Sequence, residues 1–175
     1  MSGRATDPRR LDVVALATAA EALSGDWPLS GFTRLPAAHG QQGNLGWSLR
    51  SALRRATGGA AEPWLSLSAS ACVRLTCQRC LQDFDVPLRI AATFRFVADE
   101  TLAAALDADA EEDVLALPQR LDLHDLVEDE LLLALPLVPM HETCPQPLVA
   151  VDAIDVGGEK DRAHPFAALQ ALKRH

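Results

Sequence analysis

The sequence predicts an α+β fold: an antiparallel β-sheet built as a hairpin or meander, with a barrel-like closure as its variant. Helices pack on that sheet, and a flexible C-terminal tail ends in a short helix. Three observations carry this. From Leu65 to Cys77 the odd positions are Leu65, Leu67, Ala69, Ala71, Val73, Leu75 and Cys77, while Ser66, Ser68, Ser70, Cys72, Arg74 and Thr76 alternate with them. From Phe84 to Phe96 the alternation resumes, with Phe84, Val86, Leu88, Ile90, Ala92, Phe94 and Phe96 on one side. Behind Asp122, the apolar residues Leu123, Leu126, Val127, Leu131 and Ala134 recur at helical spacing instead. A period of two gives a strand with one dry and one wet face, which favours antiparallel pairing. A period near 3.6 gives an amphipathic helix.

Taken in order, Asp7 to Leu23 reads as a first helix. Asp7-Pro8 is its cap and first turn, Val13, Leu16, Ala17, Ala20 and Leu23 form its stripe, and Gly25 is its stop. Asp26 to Asn44, rich in Gly and Pro, reads as loop with short extended pieces. Leu45, Trp47, Leu49 and Leu53 mark a third strand. Pro87 stands on the wet face of its strand, which suggests an edge or a bulge. Residues 99–113, acidic and Ala-rich, read as an exposed helix or mobile loop, and Val114 to Leu117 as a short strand. The helix capped by Asp122 runs to about Leu135, with Asp125 as a box-like partner, and Pro136 and Pro139 end it. Asp125, Glu128 and Asp129 fall on its outer face. Residues 1–148 are thus one domain. Residues 149–163, with Gly157-Gly158, are a linker. Residues 164–175 form a docking helix with Phe166, Leu169 and Leu172 on one side.

Composition bounds function. About half of the 175 residues are apolar, yet 30 are Ala and none is Tyr, so the core of large side chains is modest. No run approaches the roughly 18 apolar residues of a membrane span, and no signal cleavage pattern follows Arg4, Arg9 and Arg10. The expectation is a cytoplasmic protein. The net charge of −8 is too acidic for an ordinary nucleic-acid binder. Its distribution is uneven: residues 1–95 carry a net +4, residues 96–159 a net −15 with Arg120 as their single base, and residues 160–175 a net +3. Such polarity suggests a partner with a basic surface, possible contacts being Asp107, Asp109, Glu111, Glu112, Asp113, Glu128 and Asp129. The competing reading is an acidic surface that keeps an Ala-rich chain soluble.

Cys77-Gln-Arg-Cys80 is a C-x2-C at the tip of the hairpin, where a turn can aim two thiolates at one zinc. Sixty residues later, His141 and Cys144 offer an H-x2-C that completes a tetrahedral set. The competing reading packs two small cysteines in the hairpin and leaves the later pair unrelated. A thiol–disulfide oxidoreductase using Cys77 and Cys80 is the enzyme alternative, but the helix start that lowers such a thiol is missing. Cys72 reads as a free thiol on the wet face. His124 has no evident partner, His39 lies in a loop, and Trp27, Trp47 and Trp64 read as core. Gly40, Gly43 and Gly46 fit no phosphate loop, and no catalytic dyad is visible. The chain reads as a non-enzyme.

Three blocks together resemble the bacterial YceD family: Leu75-Thr-Cys-Gln-Arg-Cys-Leu81; Leu123 through Cys144, including the run LVEDELLLALPLVPMHETC; and His164-Pro-Phe-Ala-Ala-Leu-Gln-Ala-Leu-Lys173. An N-terminal helix, Arg34-Leu35 and a β-rich middle stand in the order expected of the family, so the resemblance spans nearly the whole chain. It implies a cytosolic, non-enzymatic factor needed for normal levels of large-subunit rRNA. The implied partners are a basic large-subunit ribosomal protein, an rRNA precursor or an intermediate of both. The alternative contact with rRNA would use Arg50, Arg54, Arg55, Arg74, Arg89 and Arg95 along the strand faces.

Overall fold

The computed structural model describes residues 6–35, 41–55 and 59–145. The predicted linker and docking helix, with Phe166, Leu169 and Leu172, lie outside the described residues. Within them the chain runs α1 (Val13–Ala19), β1 (Ala22–Pro28), β2 (Asn44–Arg55), β3 (Ala61–Thr76), β4 (Asp83–Val97), α2 (Glu100–Asp107), β5 (Asp113–Ala116) and α3 (Leu123–Leu133). The strands form one open sheet in the order β1-β2-β3-β4-β5, so the barrel variant is not adopted. The first four pair antiparallel; β5 joins β4 in parallel. The fold is the α+β one that the alternation predicts.

The dry face is the predicted one. Leu65, Leu67, Ala69, Val73 and Leu75 of β3 are buried with Leu88, Ile90, Phe94 and Phe96 of β4. Leu45, Trp47 and Leu49 of β2, Val13 and Leu16 of α1, and Leu123, Val127 and Leu131 of α3 belong to the same core. The wet face stays open, with Ser48, Ser68 and Ala91 in register across three strands. Pro87 pairs in register with Cys72, on a part of β4 whose outer side has no strand among the described residues. That is the edge position a residue without an N–H requires.

The N-terminal reading needs correction. The first helix covers only Val13–Ala19, and its cap is Asp12, whose carboxylate accepts the Ala15 N–H at 3.0 Å. Ala20 turns left-handed (φ 52°) and the chain enters β1. Ser51 fixes this reversal: its buried hydroxyl lies 2.8 Å from the carbonyl oxygens of both Leu16 and Glu21. β1 escapes a pattern search because Gly25 takes one of its inward positions. A Cβ at Gly25 would stand 3.1 Å from the Trp47 ring, so the missing side chain makes room for the indole. Trp27 then stacks on Trp47 with ring centres 4.6 Å apart.

Residues 99–113 also gain definition. Asp99 caps α2 by accepting the Leu102 N–H, and Ala103 is buried with Val97 and Val114 in a small second cluster. The crossover through α2 carries the chain back so that β5 starts beside Phe94, and such a return, unlike a tight turn, lets β5 pair in parallel. Trp64 is not core: it is half-buried, with the Arg54 guanidinium 4.7 Å from its ring centre. Met1–Cys144 forms one compact unit.

Candidate metal centre

β3 and β4 deliver Cys77 and Cys80 at the hairpin tip. Cys77 N–H donates to the Gln82 carbonyl and Leu81 N–H to the Cys77 carbonyl, both at 2.9 Å, closing a tight knuckle with Leu81 left-handed (φ 60°). Pro136 and Pro139, which cannot extend α3, send the following segment back across this knuckle. There the Gln78 N–H donates to the Pro139 carbonyl at 2.8 Å and the His141 N–H to the Cys77 sulfur at 3.4 Å. The result is convergence: ligand atoms of Cys77, Cys80, His141 and Cys144 all lie within 4.8 Å of one another and could hold a metal ion. The Cys77 and Cys144 sulfurs are 3.9 Å apart, and the Cys80 sulfur is 3.4 Å from His141 Nδ1. All four cysteines of the chain, including exposed Cys72, are unbridged.

The electrostatics fit a thiolate cluster. Burial pushes the Cys77 thiol up, but backbone N–H groups of Cys80, His141 and Arg79 outweigh it and bring the thiol down to about 5. Burial pushes the Cys80 thiol up, and the neighbouring Cys144 and Cys77 sulfurs add to the rise. Arg79, which no spacing argument singles out, braces the far side. Its Nε donates to the Cys144 sulfur at 3.0 Å and its Nη2 to the His141 carbonyl at 2.9 Å. The Phe84 ring packs 4.4 Å from the His141 ring and limits its rotation. Only the C-x2-C motif itself makes Arg79 legible in sequence, as the residue between the two thiols.

The acidic contacts expected on the surface divide. Asp109, Glu111 and Asp113 are exposed. Asp107 is exposed too, but its carboxylate accepts the Val114 N–H at 3.1 Å and ties α2 to β5. Glu112 faces Arg95 at 3.7 Å. Asp129 is exposed and ion-paired to Arg34. Glu128, placed by the stripe on the outer face of α3, is instead buried. Its carboxylate accepts the Arg34 N–H at 2.6 Å and lies 3.2 Å from Arg34 Nε, because the loop before β2 folds over that side of the helix. His124 is not partnerless either: it is buried and stacks on Phe32 with ring centres 4.4 Å apart. Burial and then Arg9 hold its pKa below the usual histidine value. His124, Asp125 and Glu128 also offer ligand atoms within 4.8 Å, but Arg34 already supplies the cation there.

Among the strand arginines, Arg74 pairs with Asp85 at 3.6 Å, and Arg95 with Glu62 at 2.7 Å. Arg50 and Arg89 stand on the open face without an ion pair among the described residues. No helix among the described residues is long and apolar enough to cross a membrane. No solved structure matches the chain. The family model described as Large ribosomal RNA subunit accumulation protein YceD matches residues 65–173. The match therefore starts at β3 and leaves α1, β1 and β2 ahead of it, a shorter span than the block order suggests. It takes in all four converging residues, and with more than half its length matched, the chain belongs to the YceD family, proteins of large ribosomal RNA subunit accumulation.

Proposed function

We propose that this chain is a non-enzymatic, cytoplasmic factor of large-subunit assembly. Its acidic surface holds a basic ribosomal protein, or an rRNA–protein intermediate, until incorporation. A zinc ion bound by Cys77, Cys80, His141 and Cys144 clamps the hairpin tip to the segment after α3. The observation that carries the zinc reading is the spacing of the donors. A tetrahedral ion with bonds of about 2.3 Å to sulfur and 2.0–2.1 Å to nitrogen needs S···S edges of ~3.7 Å and S···N edges of ~3.5 Å. The distances of 3.9 Å and 3.4 Å lie close to both. Four protein donors leave no open position, which suits a structural ion rather than a catalytic one.

Backbone N–H groups lower the Cys77 thiol without a helix start. The thiol–disulfide alternative is nevertheless disfavoured, because that thiol is wholly buried and the partly exposed Cys80 thiol is raised instead. Holding a basic partner is favoured by the net charge of −15 over residues 96–159, since complementary charge speeds encounter without a catalytic site. Direct contact with rRNA is favoured by one observation: among the described residues, Arg50 and Arg89 have no ion pair on a face of small serines and alanines.

The test is depletion of the protein from growing cells, with the ratio of large- to small-subunit rRNA as readout. The ratio should fall and be restored by the wild-type chain, but not by Cys80→Ser. An unchanged ratio on depletion ends the assembly reading. Restoration by Cys80→Ser ends the zinc clamp.

A further inference from the structure

The knuckle carries a feature that metal binding does not use. Among the described residues, nine large apolar side chains are exposed, and five of them belong to the hairpin tip or the end of α3 and its exit: Leu81, Leu133, Leu137, Val138 and Met140. Leu137 is fully in water, and Leu81 and Leu133 are about three-quarters exposed. Leu81 follows Cys80 and Met140 precedes His141, whose ligand atoms are 3.4 Å apart, so the two strands of chain bring these side chains to one end of the molecule. Scattered exposed leucines need no explanation, but a concentration of them around a rigid turn marks an interaction surface.

Charge selects the occupant. Residues 121–145 contain six acids and no Lys or Arg. Asp125 and Glu142 are exposed, Asp129 is exposed but paired with Arg34, and Arg79 is already committed to the Cys144 sulfur and the His141 carbonyl. An apolar ridge with an acidic rim repels anionic lipid and nucleic-acid phosphate. A second copy would set one acidic rim against another. We propose that this ridge docks a basic protein segment that presents apolar side chains, with Leu137 and Met140 as the anchors. The proposal rests on the reading that this chain holds a basic ribosomal protein, and it assigns the docking to the metal knuckle rather than to α2 and β5.

Three labelled synthetic peptides test it by fluorescence anisotropy against the full chain: a basic peptide with leucines on one face, the same peptide with serines replacing the leucines, and an acidic counterpart with the leucines kept. The first should bind, and the other two roughly tenfold more weakly or less, because anchors in a desolvated centre dominate such interfaces. Leu137→Ser with Met140→Ser should weaken the first peptide by about tenfold or more, as interface anchors do. Leu102→Ser, on an exposed leucine of α2, should leave it unchanged. Unchanged zinc content and unfolding temperature show that the double variant is folded; Leu137→Lys is the second variant, repelling the basic peptide. Equal binding by the double variant, or by the serine peptide, overturns the proposal. So does a dimer in sedimentation that Leu137→Ser dissociates. If the ridge variants lose peptide binding while the rRNA ratio in cells stays normal, the ridge stands and the ribosomal reading falls. If they bind a purified basic ribosomal protein normally, the ridge falls and the ribosomal reading stands.

Discussion

Arg34 and Glu128 join the loop before β2 to the inner side of α3, and their bond decides how much charge the core tolerates. The Glu128 carboxylate is buried, and one oxygen accepts the Arg34 N–H while the other faces its guanidinium. Glu128→Ala leaves that N–H without an acceptor, so its urea midpoint should fall clearly. Glu128→Gln keeps an acceptor oxygen and loses only charge, so its midpoint should fall less; the reverse order would mean the ion pair outweighs the hydrogen bond. Ser51→Ala should cost about 1–2 kcal/mol, since two carbonyls share a single buried hydroxyl proton. His124 adds a pH dependence. Its folded pKa lies below the ordinary 6.5, so between those values the unfolded chain binds the proton and the folded one does not. Stability is then fully present above about 6.5 and drains as pH falls toward the folded value. Urea melts at pH 7.5 and 5.5 check this. His124→Phe, which keeps an aromatic ring against Phe32, should lose less stability across that interval than the wild type. None of these three roles is legible in sequence, because each depends on a partner more than twenty residues away in the chain.

The elements differ in how plainly the sequence announces them. β3 and β4 are legible because thirteen residues of strict alternation leave no other structure that buries one face. β1 is hidden, since Gly25 replaces a side chain with space for the Trp47 ring, and its other inward residues are only half-buried. α3 is legible in its stripe but not in its surroundings, so Leu123, Val127 and Leu131 are read as inward while Glu128 is not. The helix carries the chain from the core to the knuckle, and its packing should dominate folding. Leu131→Ala, at a position wholly removed from water, should cost about 2–5 kcal/mol by chemical denaturation. The knuckle should respond to a different treatment. If the knuckle holds the proposed zinc, a strong chelator should lower the unfolding temperature of the wild type, because an ion that binds only the folded chain stabilises it by mass action. The chelator should leave Cys80→Ser unaffected, which separates loss of the ion from loss of the fold. The donors C-x2-C and H-x2-C are legible as pairs. Their convergence is not, because sixty residues carrying β4, α2, β5 and α3 intervene, and only Pro136 and Pro139 hint that the chain turns back.

The whole molecule is a charge-divided one, and the fold sharpens that division. The open face of the sheet carries Arg50 and Arg89, while α2, β5 and α3 carry the acids. If those acids attract the basic partner, association should weaken as salt rises from about 50 to 300 mM, since the screening length at physiological ionic strength is ~8 Å. Reversing charges tests the same point, but the choice of residues matters. Asp107 holds the Val114 N–H and Glu112 faces Arg95, so replacing either with Lys would loosen α2 and β5 as well as change the surface. Asp109, Glu111 and Asp113 are exposed and bear no side-chain bond among the described residues. Changing these three to Lys should leave the urea midpoint nearly where it was. It should also slow association with a basic ribosomal protein, measured by stopped-flow, much more than it speeds dissociation, because rim charges act on encounter. The ridge variants should do the opposite and raise the dissociation rate, because truncating a buried anchor costs residence time rather than steering. A triple reversal that leaves the association rate untouched would move the partner's contact to the arginine face. Salt-dependent binding of naked rRNA, lost on Arg50→Glu with Arg89→Glu, would then be the expected finding.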